Sequence, residues 1–301
     1  MNFLIILLFF LLSFASKSNA QVGNAGLQFL KFGVSARSIA MGEASSALGN
    51  DASAGYSNPA LLSQKKNSSL QILHRNWLAN TTMQFFGAKT SYSRFSFAYT
   101  LNTTNIPGFE IRTIPGEAEG TFGVHYFATG ISASYGVDEN FSLGIGGKLL
   151  YEKIFIDDAT GFALDLGIRK QFENQFILGA SLNNLGSMSK LRNGATTLPT
   201  TLRIGGAYPL ILSAMHSEIL FATDAIDILP EKQMHISIGA EYLYDKIFAL
   251  RLGYQSGFEA KKSLSVGLGI TYNTVIFDYA FVPNIRNFAA GHTIAISYVF
   301  E

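Results

Sequence analysis

From the first strand signals near residue 68 to the C-terminus, large apolar side chains recur at every second position. Phe95, Phe97, Tyr99 and Leu101 alternate with Ser96, Ala98 and Thr100. Phe141, Leu143 and Ile145 alternate with Ser142, Gly144 and Gly146, and Leu149 and Tyr151 flank the same run as Lys148. The pattern repeats at Phe162–Ile168, Phe248–Tyr254 and Leu264–Tyr272. A period of two puts one kind of side chain on each face of an extended strand. Turn formers separate the runs: Asp138-Glu139-Asn140, Asp157-Asp158, Asn183-Asn184, Tyr244-Asp245 and Asn273. This spacing predicts about fourteen strands. They fall near 68–74, 82–91, 93–103, 122–136, 141–155, 161–171, 176–183, 200–209, 215–223, 234–243, 246–255, 263–272, 274–282 and 290–300. Long loops are expected at 104–121 and 184–199, where Pro, Gly and polar residues collect.

The second face decides what kind of sheet this is. A soluble sheet buries its apolar face and offers Lys, Glu and Thr to water on the other. Here the second face is mostly Gly, Ser, Ala and Thr. Charged residues make up only 14% of the 301 residues, against about 25–35% expected on a soluble surface. A uniformly large apolar face suits lipid, and a small-residue face suits close approach by other backbone. Open edges are not tolerated in lipid, so the sheet must close on itself. The fold class is therefore all-β: a transmembrane antiparallel β-barrel. There is no Cys, so thiol catalysis, thiolate metal sites and disulfides are excluded. The net charge of +1 carries no polyanion signal and argues against nucleic acid as a partner.

Before the strands the chain changes character. Met1–Ala20 has an apolar run from Phe3 to Phe14, with Ser18 and Ala20 at the small positions of a cleavage site, and reads as a secretory signal peptide. Gly33–Leu62 is built from Gly, Ala, Ser, Asn and Asp with few large residues. Such a segment buries little by itself and needs a container, which the strands supply.

Within that segment Ser35-Ala36-Arg37, Ala40-Met41-Gly42-Glu43, Asn50-Asp51-Ala52 and Asn58-Pro59-Ala60-Leu61 resemble the N-terminal signature of the FadL superfamily of outer-membrane barrels. The form SAR…AMG…DA…NPA-L is most similar to the PorV/PorQ family within it. Gly161–Gly167, Gly179–Gly186, Leu198–Gly205, Leu250–Tyr254 and Asp278–Pro283 agree with that family in order and spacing. The resemblance runs from about residue 26 to the C-terminus. It implies a fourteen-stranded barrel with an N-terminal plug, and hence a division into a signal peptide (1–20), a plug segment (21–66) and a barrel (67–301). It also implies a cell outer-membrane location and a non-enzymatic role in the type IX secretion of Bacteroidota. Its partners would then be membrane lipid, outer-membrane translocon components and secreted cargo proteins.

The residues this reading singles out are few. Ser35, Ala36, Arg37, Met41, Gly42, Asp51, Asn58, Pro59 and Ala60 form the plug motif, with Asn58-Pro59 expected as a turn into the first strand. Asp165, Arg169, Glu218, Asp224, Glu241, Arg251, Asp278 and His292 are read as facing away from lipid. They could form a polar path or docking site; equally, buried charges need partners, and these could pair with one another or with Arg37 and Asp51. Tyr298 and Phe300, alternating with Ser297 and Val299, resemble the terminal aromatic signal for barrel insertion, with Glu301 following. The five His residues lack metal-ligand spacing, G-x-S-x-G is absent, and no cofactor is expected. Two functional readings remain: a secretion component that binds or hands on proteins, and a FadL-like channel for hydrophobic small molecules.

Overall fold

A computed structural model describes residues 25–49, 51–256, 263–283 and 290–300. Met1–Ala20, the expected signal peptide, lies outside the described residues. Fourteen strands form one closed antiparallel barrel. In chain order they begin with β1 (Ser68–Asn76), β2 (Thr82–Tyr92), β3 (Phe95–Ile111), β4 (Gly120–Gly136), β5 (Phe141–Ile154), β6 (Asp157–Gln171) and β7 (Ile177–Met188). A two-residue ladder, β8 (Lys190–Leu191) with β9 (Gly194–Ala195), sits in the connection that follows. The barrel resumes with β10 (Thr201–Leu212), β11 (Ser217–Ile228), β12 (Gln233–Tyr244), β13 (Phe248–Gln255), β14 (Ser263–Tyr272), β15 (Val275–Val282) and β16 (Gly291–Phe300). Each strand pairs with its sequence neighbours, β7 pairs with β10, and β1 closes on β16 from Ser68↔Phe300 to Asn76↔His292.

Two expected loops are shorter than the sequence pattern predicts. The strands β3 and β4 run on to Ile111 and from Gly120, so only 112–119 connect them. A bulge between Ile106 and Phe109 breaks the alternation there, although the ladder resumes at Phe109↔Phe122. The extra residue shifts the faces, which erases the period-two signal without ending the strand. Likewise β7 continues to Met188 past Asn184, whose φ is 59°, opposite an irregularity between Leu164 and Leu166.

The outward face is a continuous apolar band: Ile145, Phe162, Leu166, Leu250, Leu252, Leu268 and Ile296 are all exposed there. Toward one end this band gives way to polar groups. Cross-strand register places His292, Asn76, Thr82, Asn105 and His125 side by side across β16, β1, β2, β3 and β4. That end also carries the longer connections, 112–119 and 189–200 among them. At the other end lie short turns such as 93–94 and 273–274, together with the Ser68↔Phe300 closure.

Leu268 stands at the centre of β14 and is 52% exposed. Leu268→Lys should cost about 2–4 kcal/mol of stability in a bilayer, the range for a cation at mid-depth on a barrel wall. Urea unfolding in lipid vesicles measures it, and an unchanged midpoint would rule out a lipid-facing wall at this position.

Candidate functional site

The interior of the barrel is occupied by the chain's own N-terminal segment. From Ala25 it makes a 3-10 turn (Gln28–Lys31), a helical turn (Ala36–Ala40), a second helical turn (Ala54–Ser57) and a 3-10 helix (Pro59–Gln64). It falls into two lobes. The first, through Ala36–Ala40, packs on β13, β14, β15 and β16; the second, through Ala54–Gln64, packs on β3, β4, β5 and β6.

Where the segment's backbone comes closest to the wall, the wall residue is glycine. A Cβ on Gly253 would strike the backbone of Met41 and Gly42, and one on Gly267 would strike Ala40. On the other lobe, Gly144 lies against Pro59 and Ala60 and Gly167 against Asn58; between the two helical turns, Gly179 lies against Ser46. Gly42 is itself at φ 67°, a conformation that a side chain would strain, and is pressed against Tyr254 backbone.

A segment outside any ladder leaves its peptide groups in need of partners. Wall hydroxyls supply several. Ser132 donates to the Gly55 carbonyl (2.6 Å), Ser142 to Ala60 (2.8 Å) and Ser265 to Ala40 (3.0 Å). The Asp224 carboxylate accepts from the Ser45 and Ser46 N–H groups, each at 2.9 Å. Asn58 is wholly buried and acts as a pin. Its Oδ1 accepts from Ala60 N–H (3.1 Å), capping the 3-10 helix, while Nδ2 donates to Ser46 (2.7 Å) and Ile168 (3.2 Å) carbonyls. The expected turn at Asn58-Pro59 is thus the capped start of a helix, because Pro at its first position needs no N–H partner.

Charges join the lobes to the wall. Arg37 grips Glu241 with two bonds, Nε to Oε2 at 2.8 Å and Nη2 to Oε1 at 2.6 Å. Arg251 donates to Glu241 (2.5 Å) and Asp278 (2.6 Å), giving a chain Arg37–Glu241–Arg251–Asp278 whose three wall members are buried. Lys148 pairs with Asp165 at 2.8 Å and lies 4.1 Å from the Tyr56 ring centre. Arg203 donates to the Glu43 carbonyl at 3.3 Å.

The expected site residues therefore separate. Glu241, Arg251, Asp278 and Arg37 meet in one cluster, and Asp165 in another. Arg169 is buried near the short-turn end and donates to Gln171 (2.6 Å), with no carboxylate partner among the described residues. Glu218 is half-buried on β11. Asp51 forms no ion pair among the described residues; it accepts from Ser53 N–H (2.9 Å) and Gln71 (3.3 Å). His292 does not face the lumen. It has the outward parity of Ile294 and Ile296 and accepts or donates a 2.8 Å bond with Tyr279 on the outer surface. Ser35 caps the helical turn by accepting from Ser38 N–H, and Ala36 and Met41 are buried. Tyr298 and Phe300 project outward with rings edge-on at 4.8 Å. Lys148, Glu43 and Arg203 were not singled out, although the parity of Lys148 beside Gly144 and Gly146 already turned it inward.

Between the lobes lies a cavity of about 70 Å³, lined by Phe32, Val34, Met41, Leu48, Tyr56 and Ile226 together with Arg37, Glu43, Asn184 and Arg203. An apolar cavity that accepts benzene measures about 150 Å³, so this cavity is too small to hold a molecule of that size.

No protein-family model matches the chain, and no curated protein matches it by sequence. Solved structures do match in fold. The toluene transporter TodX of Pseudomonas putida aligns with a TM-score of 0.68 at 14% identity, over 89% of this chain and 98% of TodX. The monoaromatic hydrocarbon channel CymD aligns at 0.63 and 15% identity, over 89% and 97%. A FadL homologue from Pseudomonas aeruginosa aligns at 0.54 and 10% identity, over 88% and 97%. The fold is that of FadL-type outer-membrane barrels, and the closed ladder with its apolar outer band places this chain in the outer membrane.

Asn58→Ala removes a cap and two bonds to buried carbonyls, and should loosen the second lobe by about 1–3 kcal/mol. Glu241→Ala strips Arg37 and Arg251 of their shared partner and should cost about 3–5 kcal/mol. Hydrogen exchange on the interior segment reads both changes. Wild-type protection in either variant would contradict the role assigned to that residue.

Proposed function

We propose that this barrel is a gated outer-membrane passage in which the interior segment is the hatch and the passengers are small hydrophobic molecules. The observation that carries this reading is the likeness, over nearly their whole length, to barrels described as a toluene transporter and a monoaromatic hydrocarbon channel. An apolar approach also supports it. Phe122 lies between Phe109 and Phe155, with both ring separations 5.3 Å, at the long-loop end, and below it Tyr126 stacks on Phe29 of the segment at 5.1 Å. By the usual pattern of short periplasmic turns and long outer loops, this end faces the cell exterior. Residues 1–20 are then the signal peptide, 21–66 the hatch and 67–301 the barrel, and the protein is not an enzyme.

A second reading is favoured by a different observation. The motif residues Ser35, Arg37, Met41, Gly42, Asn58 and Pro59 resemble the PorV/PorQ signature, and the cavity between the seated lobes measures about 70 Å³. On this reading the barrel stays closed and serves type IX secretion by holding translocon components or secreted cargo proteins at the outer membrane.

Transport separates the two. Vesicles holding the purified barrel should admit labelled toluene faster than empty vesicles, and deletion of residues 25–64 should raise that rate further. Equal entry with and without the protein would overturn the channel. Crosslinking in native membranes that recovers outer-membrane secretion proteins or cargo would favour the second reading.

A further inference from the structure

The four-residue charge chain is unequal in its placement. Glu241 on β12, Arg251 on β13 and Asp278 on β15 belong to the wall and are buried, whereas Arg37 belongs to the first lobe. Two wall carboxylates against one wall guanidinium leave an excess of one negative charge, which Arg37 cancels. The wall is shaped for this group. Gly269 on β14 lies under the Arg251–Asp278 pair, and a Cβ there would come within 2.7 Å of both Arg251 Nη2 and Asp278 Oδ1. Glu241 is held by Arg251 through Oε2 and presents both oxygens to Arg37 in a two-pronged contact at 2.6 and 2.8 Å. That geometry matches a planar guanidinium and not a point charge such as ammonium. The Arg37 side chain is 26% exposed, toward the cavity between the lobes, while its partner Glu241 is 5% exposed. The ligand side of the contact thus borders the cavity, and the wall side does not.

The second lobe is held differently. Both lobes rest on glycines, but residues 54–64 make no ion pair with the wall among the described residues; the buried Asn58 pin and the fully buried Leu61 and Leu62 hold them instead. The Arg37–Glu241 contact borders the cavity, so it is the anchor that a competing cation can reach, whereas the Asn58 pin is wholly buried.

We propose that Glu241, Arg251 and Asp278 form a guanidinium-binding site in the barrel wall, that Arg37 occupies it as a tethered ligand, and that its release frees the first lobe while the second stays seated. The site would take any guanidinium that reaches it, including an arginine side chain of a polypeptide. The binding site is independent of what the barrel carries; the lobe movement rests on the hatch reading.

The test uses full-length barrel in lipid vesicles with Arg37→Ala. Its thermal midpoint should fall, hydrogen exchange should rise over residues 25–48 but not over 54–64, and ion leak should increase by about tenfold or more, the effect of losing one partner of a buried pair. Millimolar guanidinium chloride should reverse these changes, while equal sodium chloride or urea should not, and adding Glu241→Gln should abolish the reversal. Reversal by sodium to the same degree, or none by guanidinium, overturns the site. Reversal of the midpoint with wild-type leak throughout keeps the site and overturns the lobe movement, as does exchange rising equally in both lobes. If Arg37→Ala does not assemble, Arg37→Lys carries the same test, since it keeps the charge and loses the fork; indifference to guanidinium there overturns the site.

Discussion

Lipid offers nothing for a peptide group to bond with, and most of this structure follows from that. Fourteen strands must pair on both sides, so β1 has to find β16 across the whole length of the chain. Closure fixes a lumen, and a lumen of this size cannot be filled by alternate Gly, Ser and Ala side chains. Either water enters or another piece of chain does. The N-terminal segment is that piece, and its peptide groups then inherit the same demand for partners. The wall serines, Asp224 and Asn58 answer it. What makes the outside compatible with lipid thus dictates the chemistry of the inside.

The two lobes meet that demand with different forces. One is seated by shape: backbone against glycine, with apolar Leu61 and Leu62 below. The other leans on glycines too but is tied by an ionic chain reaching three strands. The 70 Å³ cavity falls at the border between these regimes.

The strand number and the two faces were legible in the sequence because alternation is a local signal that lipid enforces at every outward position. The same signal failed at Ile106–Phe109 and near Asn184, where one extra residue flips parity and mimics a loop. His292 was misplaced although Ile294 and Ile296 already set its parity outward. The inner charges were only partly legible. Parity says which residues point in, but pairing depends on strand register: Glu241 stands opposite Arg251 across the β12–β13 hairpin, and Asp278 joins them from β15. The partner for Arg37 needed the seated segment as well. Asn58-Pro59 carried a local signal, and its capping role is the kind that a short-range pattern does encode; its bonds to Ser46 and Ile168 are not.

The glycine seats have a consequence for how such a chain can change over generations. The inner wall is a cast of the segment, recorded in missing side chains at Gly144, Gly167, Gly253 and Gly267. A single larger residue on either surface has nowhere to go, so the two can drift only together, in compensating steps. Loops at the rim carry no such debt and are free to diverge. Descendants of this barrel would then keep an inherited lock and key within one polypeptide while their outer surfaces become unrecognisable to one another.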